Sequence, residues 1–440
     1  MLPSFDTEQI LAATGGRALG RGPRGPITAN CQTMAAGEWF VALAGDGFDD
    51  HGMVPEAARR GVAGVIVEHA PREPVPAIVV PDTWAALRAL ATAARRAFSG
   101  PVVGITGSVG KTTTRALTAL ALSPLGTVHQ TQANQNGEPG VPLTLLEAPT
   151  HAAAQVLELG TCRPGEIRRH AQTVLPDVRI VTAIDAAHLD RLGDLDGVAR
   201  EKGALVATAR PGDVVIVPLS CPRCAALPHP AHVRRVTVGP GGDVELEACE
   251  VDGASLVGTW RTPEGVLRGR IPSPAPFVAS NACFALASAW VLGVDLPEAV
   301  AALEPYRPVG SRLHPVAVGG ATVYDDSFNA SPASVKAAVT WLGTQGPGRR
   351  VLVLGAMRAL GSHSERLHHE VVTVVRQAQL DAVLFLGEPL VGMASGVAAT
   401  AEDVDEAAAW LHAQLGDGDV ALVKGARSLG LERVVRHAAG

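Results

Sequence analysis

The chain has 440 residues, 47% of them hydrophobic and 18% charged, which marks a globular protein and excludes an intrinsically disordered one. Its formal net charge of −6 leaves no basic footprint for nucleic acid, so any phosphate it binds is held locally. No apolar run approaches the ~18 residues needed to span a bilayer, and the opening MLPSFDTEQI carries acids and no basic leader, so neither a membrane partner nor export is expected and the location is expected to be cytoplasmic.

At ~100 to 200 residues per domain this length predicts two to four domains. Residues 1–98 read as a small α/β unit. A helical opening is followed by a strand at Trp39–Leu43, a helix at Val54–Arg60, a strand at Gly64–Val67 and an amphipathic helix over Thr83–Phe98. Ser99-Gly100-Pro101 punctuates the chain and opens a second block, 99–307. Its strands at Gln155–Leu159, Arg179–Thr182 and Asp213–Val217 alternate with helices, the pattern of a parallel sheet covered on both faces. The glycine-rich span 228–272 reads as an antiparallel extension. A third block, 308–440, has strands at Thr322–Tyr324, Arg350–Leu354, Ala382–Leu386 and Val420–Val423, expected as a second, smaller, Rossmann-like doubly wound sheet.

The densest signal is Gly104-Ile-Thr-Gly-Ser-Val-Gly-Lys-Thr-Thr-Thr114, set between an apolar strand and a helix. Gly107 and Gly110 free backbone N–H groups to face phosphate, and the helix N-terminus adds its positive dipole. Lys111 is placed to reach the β- and γ-phosphates, and Thr112 to ligate Mg²⁺. The strict G-x-x-x-x-G-K-[ST] spacing puts a glycine at position 105, where this chain has Ile105 and carries its glycine at 104. Downstream, Glu158 ends one strand, His188 follows another, and Lys202 lies early in a predicted helix. These are groups suited to metal and proton chemistry at strand ends. Cys221-Pro-Arg-Cys224 has metal-knuckle spacing without a second Cys or His pair, so it reads as a surface loop with two thiols.

The order GITGSVGKTTT, NQNGEPGVPLTLL, LELGTCRPGEI, AAHLDRLGDLDGVAREKG, DDSFNASPASV, LGAMRALGSHSERLH and VKGARS resembles the Mur ligase family, and within it the MurF-type branch, over nearly the whole chain. The family's loop form, G-x-T-G-[ST]-x-G-K-T, accounts for the displaced glycine. The resemblance implies three α/β domains: an N-terminal binder of a nucleotide sugar, a central P-loop ATPase and a closing C-terminal domain. It implies an ATP-dependent, ADP-forming ligase working through an acyl phosphate, with a nucleotide-sugar peptide and a dipeptide as substrates, as a monomer.

Carried over by motif, Gly107, Ser108, Gly110, Lys111, Thr112, Thr113, Asn281, Arg312 and Asp326 serve ATP, with Asp326 on the ribose. Thr112, Glu158, His188 and Lys202 serve two Mg²⁺ ions, with Lys202 as a CO₂-derived carbamate. Lys111, Glu158, His188, Lys202 and Arg312 form the catalytic set, and Asn134, Asn136, Asn329, Lys424 and Arg427 face substrate. For Lys202 the alternative is an unmodified amine paired with Glu201 or a phosphate.

Several positions depart from the family. Asn30-Cys31-Gln32 replaces the usual Asp-Ser-Arg of the UDP site, while Gly45-Asp-Gly-Phe-Asp-Asp-His51 still resembles the run that follows it. Phe277-Val278 replaces His-Asn ahead of Asn281, Thr161-Cys162 replaces Asn-His, and Ala356-Met-Arg-Ala-Leu-Gly361 lacks two carboxylates. Three readings follow: the peptidoglycan ligase itself, a related ligase repurposed for another carboxylate and amine in specialised metabolism, and a nucleotide-binding partner without turnover.

Overall fold

The structure, a computed structural model, describes residues 1–45 and 47–439; Asp46, within the predicted run 45–51, lies outside them. The chain is α/β throughout. In the first unit a five-stranded sheet runs Arg17–Leu19, Ala77–Val79, Gly64–Val67, Trp39–Val41, Ile27–Thr28, parallel apart from the antiparallel edge at Arg17–Leu19. The predicted amphipathic helix spans Thr83–Ala97, where the Asp82 carboxylate accepts the Ala85 N–H at 2.8 Å. Its buried face carries Leu87, Leu90, Ala91 and Ala94 at helical spacing.

The central sheet has six parallel strands in the order Arg234–Val238, Val214–Pro218, Val178–Val181, Val102–Thr106, Ala154–Glu158, Val128–Gln130. Val102–Thr106 is buried along its length because helices cover both faces, which is why its sequence does not alternate. The antiparallel extension is real but shorter than expected, comprising Glu245–Asp252, Ser255–Thr262 and Gly265–Ile271. Arg234–Val238, which the sequence grouped with it, instead continues the parallel sheet as its edge.

The last sheet also has six strands, His314–Val318, Ala321–Asp326, Val420–Lys424, Arg350–Gly355, Ala382–Leu386 and Ala399–Ala401, so it is not the smaller one. The short edge strands His314–Val318 and Ala399–Ala401 have weak apolar patterns and escaped the sequence reading. No described helix is long and apolar enough to cross a membrane.

Polar contacts tie the units together. Arg95 reaches Asp177 at 2.7 Å, and Arg88 reaches Glu138 at 3.2 Å. Trp341 donates to the Pro274 carbonyl at 3.0 Å, and the Asp190 N–H approaches the Ala359 carbonyl at 3.4 Å. The second pair of contacts seats the C-terminal unit over the C-terminal ends of the central strands, where an open parallel sheet binds its ligands.

Candidate active site

The phosphate loop leaves the strand Val102–Thr106 and enters the helix Lys111–Ala121. Gly107 has φ +152°, and a Cβ there would overlap the Thr182 hydroxyl; Gly110 has φ +81°, with Asn281 Oδ1 2.9 Å from where a Cβ would stand. Both positions therefore demand glycine. Asn281, on the helix Pro276–Val291, borders the loop itself. Ser108 donates to the Asp185 carbonyl at 2.8 Å and accepts the Asp185 N–H at 2.9 Å, while Thr182 donates to the Val109 carbonyl at 2.6 Å. The loop is thus braced by the segment that carries His188.

Glu158 is 2% exposed at the end of its strand. Its carboxylate accepts from the Thr112 hydroxyl and from Asn136 Nδ2, each at 2.8 Å, and lies 3.8 Å from Arg115 Nε. Lys111 donates to the Gly107 carbonyl at 2.9 Å; burial lowers its pKa, against the pull of Glu158. Arg312 enters from the C-terminal unit, its guanidinium 3.6 Å from the centroid of Phe328, with Arg427 over the same ring at 5.0 Å. Burial lowers the Arg312 pKa too, with the Glu158 carboxylate opposing. Leu313, next to it, has φ +54°, a left-handed backbone rare outside glycine, as does His188 at +54°. Such strain persists where surrounding contacts over-determine it, and here it sits at one predicted site position, His188, and beside another, Arg312.

Lys202 is 2% exposed, in the second half of the helix Leu195–Ala207 and not near its start as predicted. Burial, reinforced by the charge of Lys111, draws its ammonium down to about 7. Glu201 is committed elsewhere: its oxygens accept the N–H groups of Gly165 at 2.6 Å and Ile167 at 2.8 Å, and the Thr161 hydroxyl at 3.2 Å. The expected alternative of a Lys202–Glu201 pair is therefore not what the geometry builds. His188 is lowered by burial and by the charges of Lys202 and Lys111, so its imidazole is neutral and able to ligate a cation.

The site is cation-rich. Lys111, Arg115 and Arg312 surround the buried carboxylate of Glu158, and Lys202 lies close enough to Lys111 to feel its charge, an imbalance that a polyphosphate would complete. No three His, Cys, Asp or Glu side chains converge as a metal cluster among the described residues. That suits Mg²⁺, which is held by one or two protein oxygens together with phosphate oxygens, and Glu158 with Thr112 supplies them.

The remaining predicted residues divide. Asn136 joins the site, whereas Asn134 is exposed on a turn. Asp326 and Lys424 bind one another at 2.5 Å, and Lys424 also donates to the Asn329 carbonyl at 3.1 Å, so neither charge stands free for a ligand. Thr113 contacts the Tyr306 hydroxyl, whose pKa burial pushes up to about 12. Tyr306 and Arg115 were not foreseen. A buried arginine on a helix that follows G-K-T-T-T is itself a signal, because burial of such a charge requires a partner.

At the altered N-terminal triplet, Asn30 Oδ1 accepts the Gln32 N–H at 3.0 Å, closing a turn. Asp50 stands beside the Cys31 thiol, and burial raises its pKa. Arg60 donates to the Gln32 and Met34 carbonyls at 3.0 and 3.2 Å. A carboxyl and a guanidinium, absent from the triplet itself, are thus brought to it from other parts of the chain.

Residues 105–289 match the Mur ligase middle domain, and 311–427 match the Mur ligase glutamate ligase domain. The UDP-N-acetylmuramoyl-tripeptide--D-alanyl-D-alanine ligase of Escherichia coli is 32% identical over 93% of this chain and 92% of its own length. The Synechocystis enzyme of the same name is 32% identical over 93% and 90%. Among solved structures, MurF from Acinetobacter baumannii superposes with a TM-score of 0.93 at 29% identity, covering 100% of this chain and 99% of that one. MurF from Thermotoga maritima, in complex with ADP, gives 0.84 at 26% over 94% and 97%. The chain belongs to the Mur ligase family, in its MurF-type branch.

Proposed function

We propose that this chain is an ATP-dependent, ADP-forming ligase that joins D-alanyl-D-alanine to UDP-N-acetylmuramoyl-tripeptide in peptidoglycan synthesis. The observation that carries it is the meeting of Lys111, Glu158, His188 and Lys202 from the central unit with Arg312 from the C-terminal unit. In this reading residues 1–98 hold the nucleotide sugar, 99–307 hold ATP and 308–440 close over both, in the cytoplasm where ATP is supplied. Asp50 and Arg60, gathered at the turn 30–32, support retention of the nucleotide-sugar site.

The tripeptide carboxylate attacks the γ-phosphorus, the bond to the β-phosphate oxygen breaks, and ADP leaves an acyl phosphate behind. The dipeptide amine then adds to the acyl carbon, and phosphate departs with formation of the amide. Lys111 and Arg312 neutralise the phosphate oxygens, which carry the charge of a loose phosphoryl transition state. Gly107, Ser108, Gly110, Thr113 and Asn281 shape the cradle. Thr112, Glu158 and His188 would hold Mg²⁺, which, when bound, screens charge between adjacent phosphates. The Asp326–Lys424 pair sets the shape of the closing face, with Asn136, Asn329 and Arg427 near the acceptor.

Lys202 is assigned a carbamate. Its ammonium, drawn down to about 7, gives up one proton, and the free amine attacks CO₂ and releases a second, which replaces a buried cation by an anion in a cation-rich pocket. Turnover lost in CO₂-free buffer and regained with bicarbonate supports this; indifference to bicarbonate overturns it.

The assay is ADP release with UDP-N-acetylmuramoyl-tripeptide plus D-alanyl-D-alanine, beside a panel of other carboxylates and amines. Turnover with the named pair sustains the assignment. Turnover only with another pair moves the chain to a different amide, and silence with every pair makes it a non-catalytic binder.

A further inference from the structure

The turn Cys221-Pro-Arg-Cys224 has no part in the ligase reaction, yet it is built against the elements that do. Cys221 precedes the short helix Pro222–Ala225, and the Ala225 N–H bonds the Cys221 carbonyl at 2.9 Å, so the cysteines are one helical turn apart. Their side chains share one face of the turn, and both thiols lie near the Ile184 carbonyl. At this spacing Cβ atoms lie ~5–6 Å apart, and closing to the ~3.5–4.5 Å of a disulfide takes a small local shift. Cys221 is half-buried and reachable by a small molecule, whereas Cys224 is buried beneath it, not on the surface as the sequence suggested.

Three contacts link the turn to the site. In its protonated form Cys221 donates to the Ile184 carbonyl at 3.7 Å, at the head of the segment that braces Ser108 and carries His188. Arg223 forms an ion pair with Asp196 on the helix of Lys202. Leu227 packs against Gly203 on that same helix, 2.9 Å from where a Cβ would stand.

We propose that Cys221 and Cys224 form a reversible redox site, at which a peroxide converts the dithiol to a disulfide and slows the ligase; the slowing, though not the site, rests on the ligase reading. The Cys221 thiolate attacks a peroxide oxygen, the O–O bond breaks, and a sulfenic acid and one water result. Cys224 sulfur then displaces the sulfenic oxygen as a second water and closes the S–S bond. Two thiols are oxidised and one peroxide is reduced to two waters. The neighbouring Cys224 thiol lowers the pKa of Cys221, which raises the fraction present as the attacking thiolate. The disulfide tightens the turn that Asp196 and Gly203 lean on, displacing His188 and Lys202 together.

Trypsin provides the test, since it cuts after Arg223 and separates the two cysteines. The full chain is reduced, treated with hydrogen peroxide, denatured in N-ethylmaleimide and digested. The reduced sample gives two alkylated peptides, and the oxidised sample gives one disulfide-linked pair. ADP release falls at least ~10-fold on oxidation and returns with dithiothreitol, as expected when site groups shift by a fraction of an ångström. Cys221→Ser keeps the basal rate and loses both the linked peptide and the peroxide sensitivity. Absence of the linked peptide overturns the site. A linked peptide with an unchanged rate, or equal sensitivity of Cys221→Ser through the exposed Cys162, overturns the control of activity. The peptide readout needs no substrate, so failure of the ligase assignment leaves it standing.

Discussion

Glu158→Gln isolates the charge of the one carboxylate buried amid the site's cations. The substitution keeps volume and shape and removes one negative charge at a residue 2% exposed. Asn136 Nδ2 is a fixed donor at 2.8 Å, so the new carboxamide must present its oxygen there and turn its NH₂ toward Thr112. The Thr112 hydroxyl can rotate to accept it. Arg115 Nε, 3.8 Å from the lost oxygen and without another hydrogen-bond partner, cannot adapt. Removing one partner of a buried ion pair costs about 3–5 kcal/mol; retained shape and one intact hydrogen bond place this variant near the lower figure, about 3 kcal/mol by urea unfolding. Lys111 and Arg312 lose a neighbouring anion as well, and the proposed Mg²⁺ site loses its carboxylate. ADP release is therefore expected to fall by about 10³-fold, with the chain still folded at room temperature. A rate within threefold of the parent, measured at saturating Mg²⁺ and ATP, would refute the assignment of Glu158 to the reacting phosphates.

Gly107→Ala places a Cβ into the Thr182 hydroxyl on a backbone at φ +152°, and ADP release and ATP affinity by calorimetry both collapse; tight ATP binding by the variant would show that the loop moves freely. Arg312→Lys keeps the charge and loses the planar stack 3.6 Å over Phe328, so kcat drops about 10- to 100-fold while the unfolding midpoint is unchanged; an unaltered kcat would remove Arg312 from the chemistry. Lys202→Met abolishes turnover and, in CO₂-free buffer, raises stability by about 1–4 kcal/mol at neutral pH and below, where the parent must bury an ammonium. The sign follows from a folded pKa of about 7 set below the ordinary lysine value of 10.5: the unfolded chain holds the extra proton between those values, so parental stability gains with pH across that window and the variant lacks that gain. A variant less stable than the parent at pH 6 would contradict the burial argument.

What the sequence disclosed was local in origin. Gly107 and Gly110 can be read from spacing because their constraint arises within a few residues of backbone, and the strand end at Glu158 is marked by the apolar run before it. Tyr306 and Arg115 were missed for the opposite reason. Their partners, Thr113 in one case and Glu158 in the other, are tertiary, and no periodicity records them. The edge strands Arg234–Val238 and His314–Val318 were obscured because half-exposed edges mix polar and apolar residues without a clear period.

The N-terminal triplet shows how far residue-by-residue transfer can be trusted. Read in line, Asn30, Cys31 and Gln32 have lost both a carboxylate and a guanidinium, which argues for a changed substrate. Folded, the same turn lies beside Asp50 and under Arg60, the first from the short 3-10 turn Asp50–Met53 and the second from the end of the helix Val54–Arg59. The turn thus gains a carboxyl and a guanidinium from other parts of the chain, because a binding surface constrains where a group arrives and not which position supplies it. Arg60 is held by two backbone carbonyls and by Glu56 at 2.6 Å, so it meets a ligand already oriented, with less side-chain entropy left to lose. The drift at residues 30–32 is therefore weaker evidence for a new substrate than it looks in the linear chain, and the geometry around Glu158 weighs more heavily toward the peptidoglycan reaction.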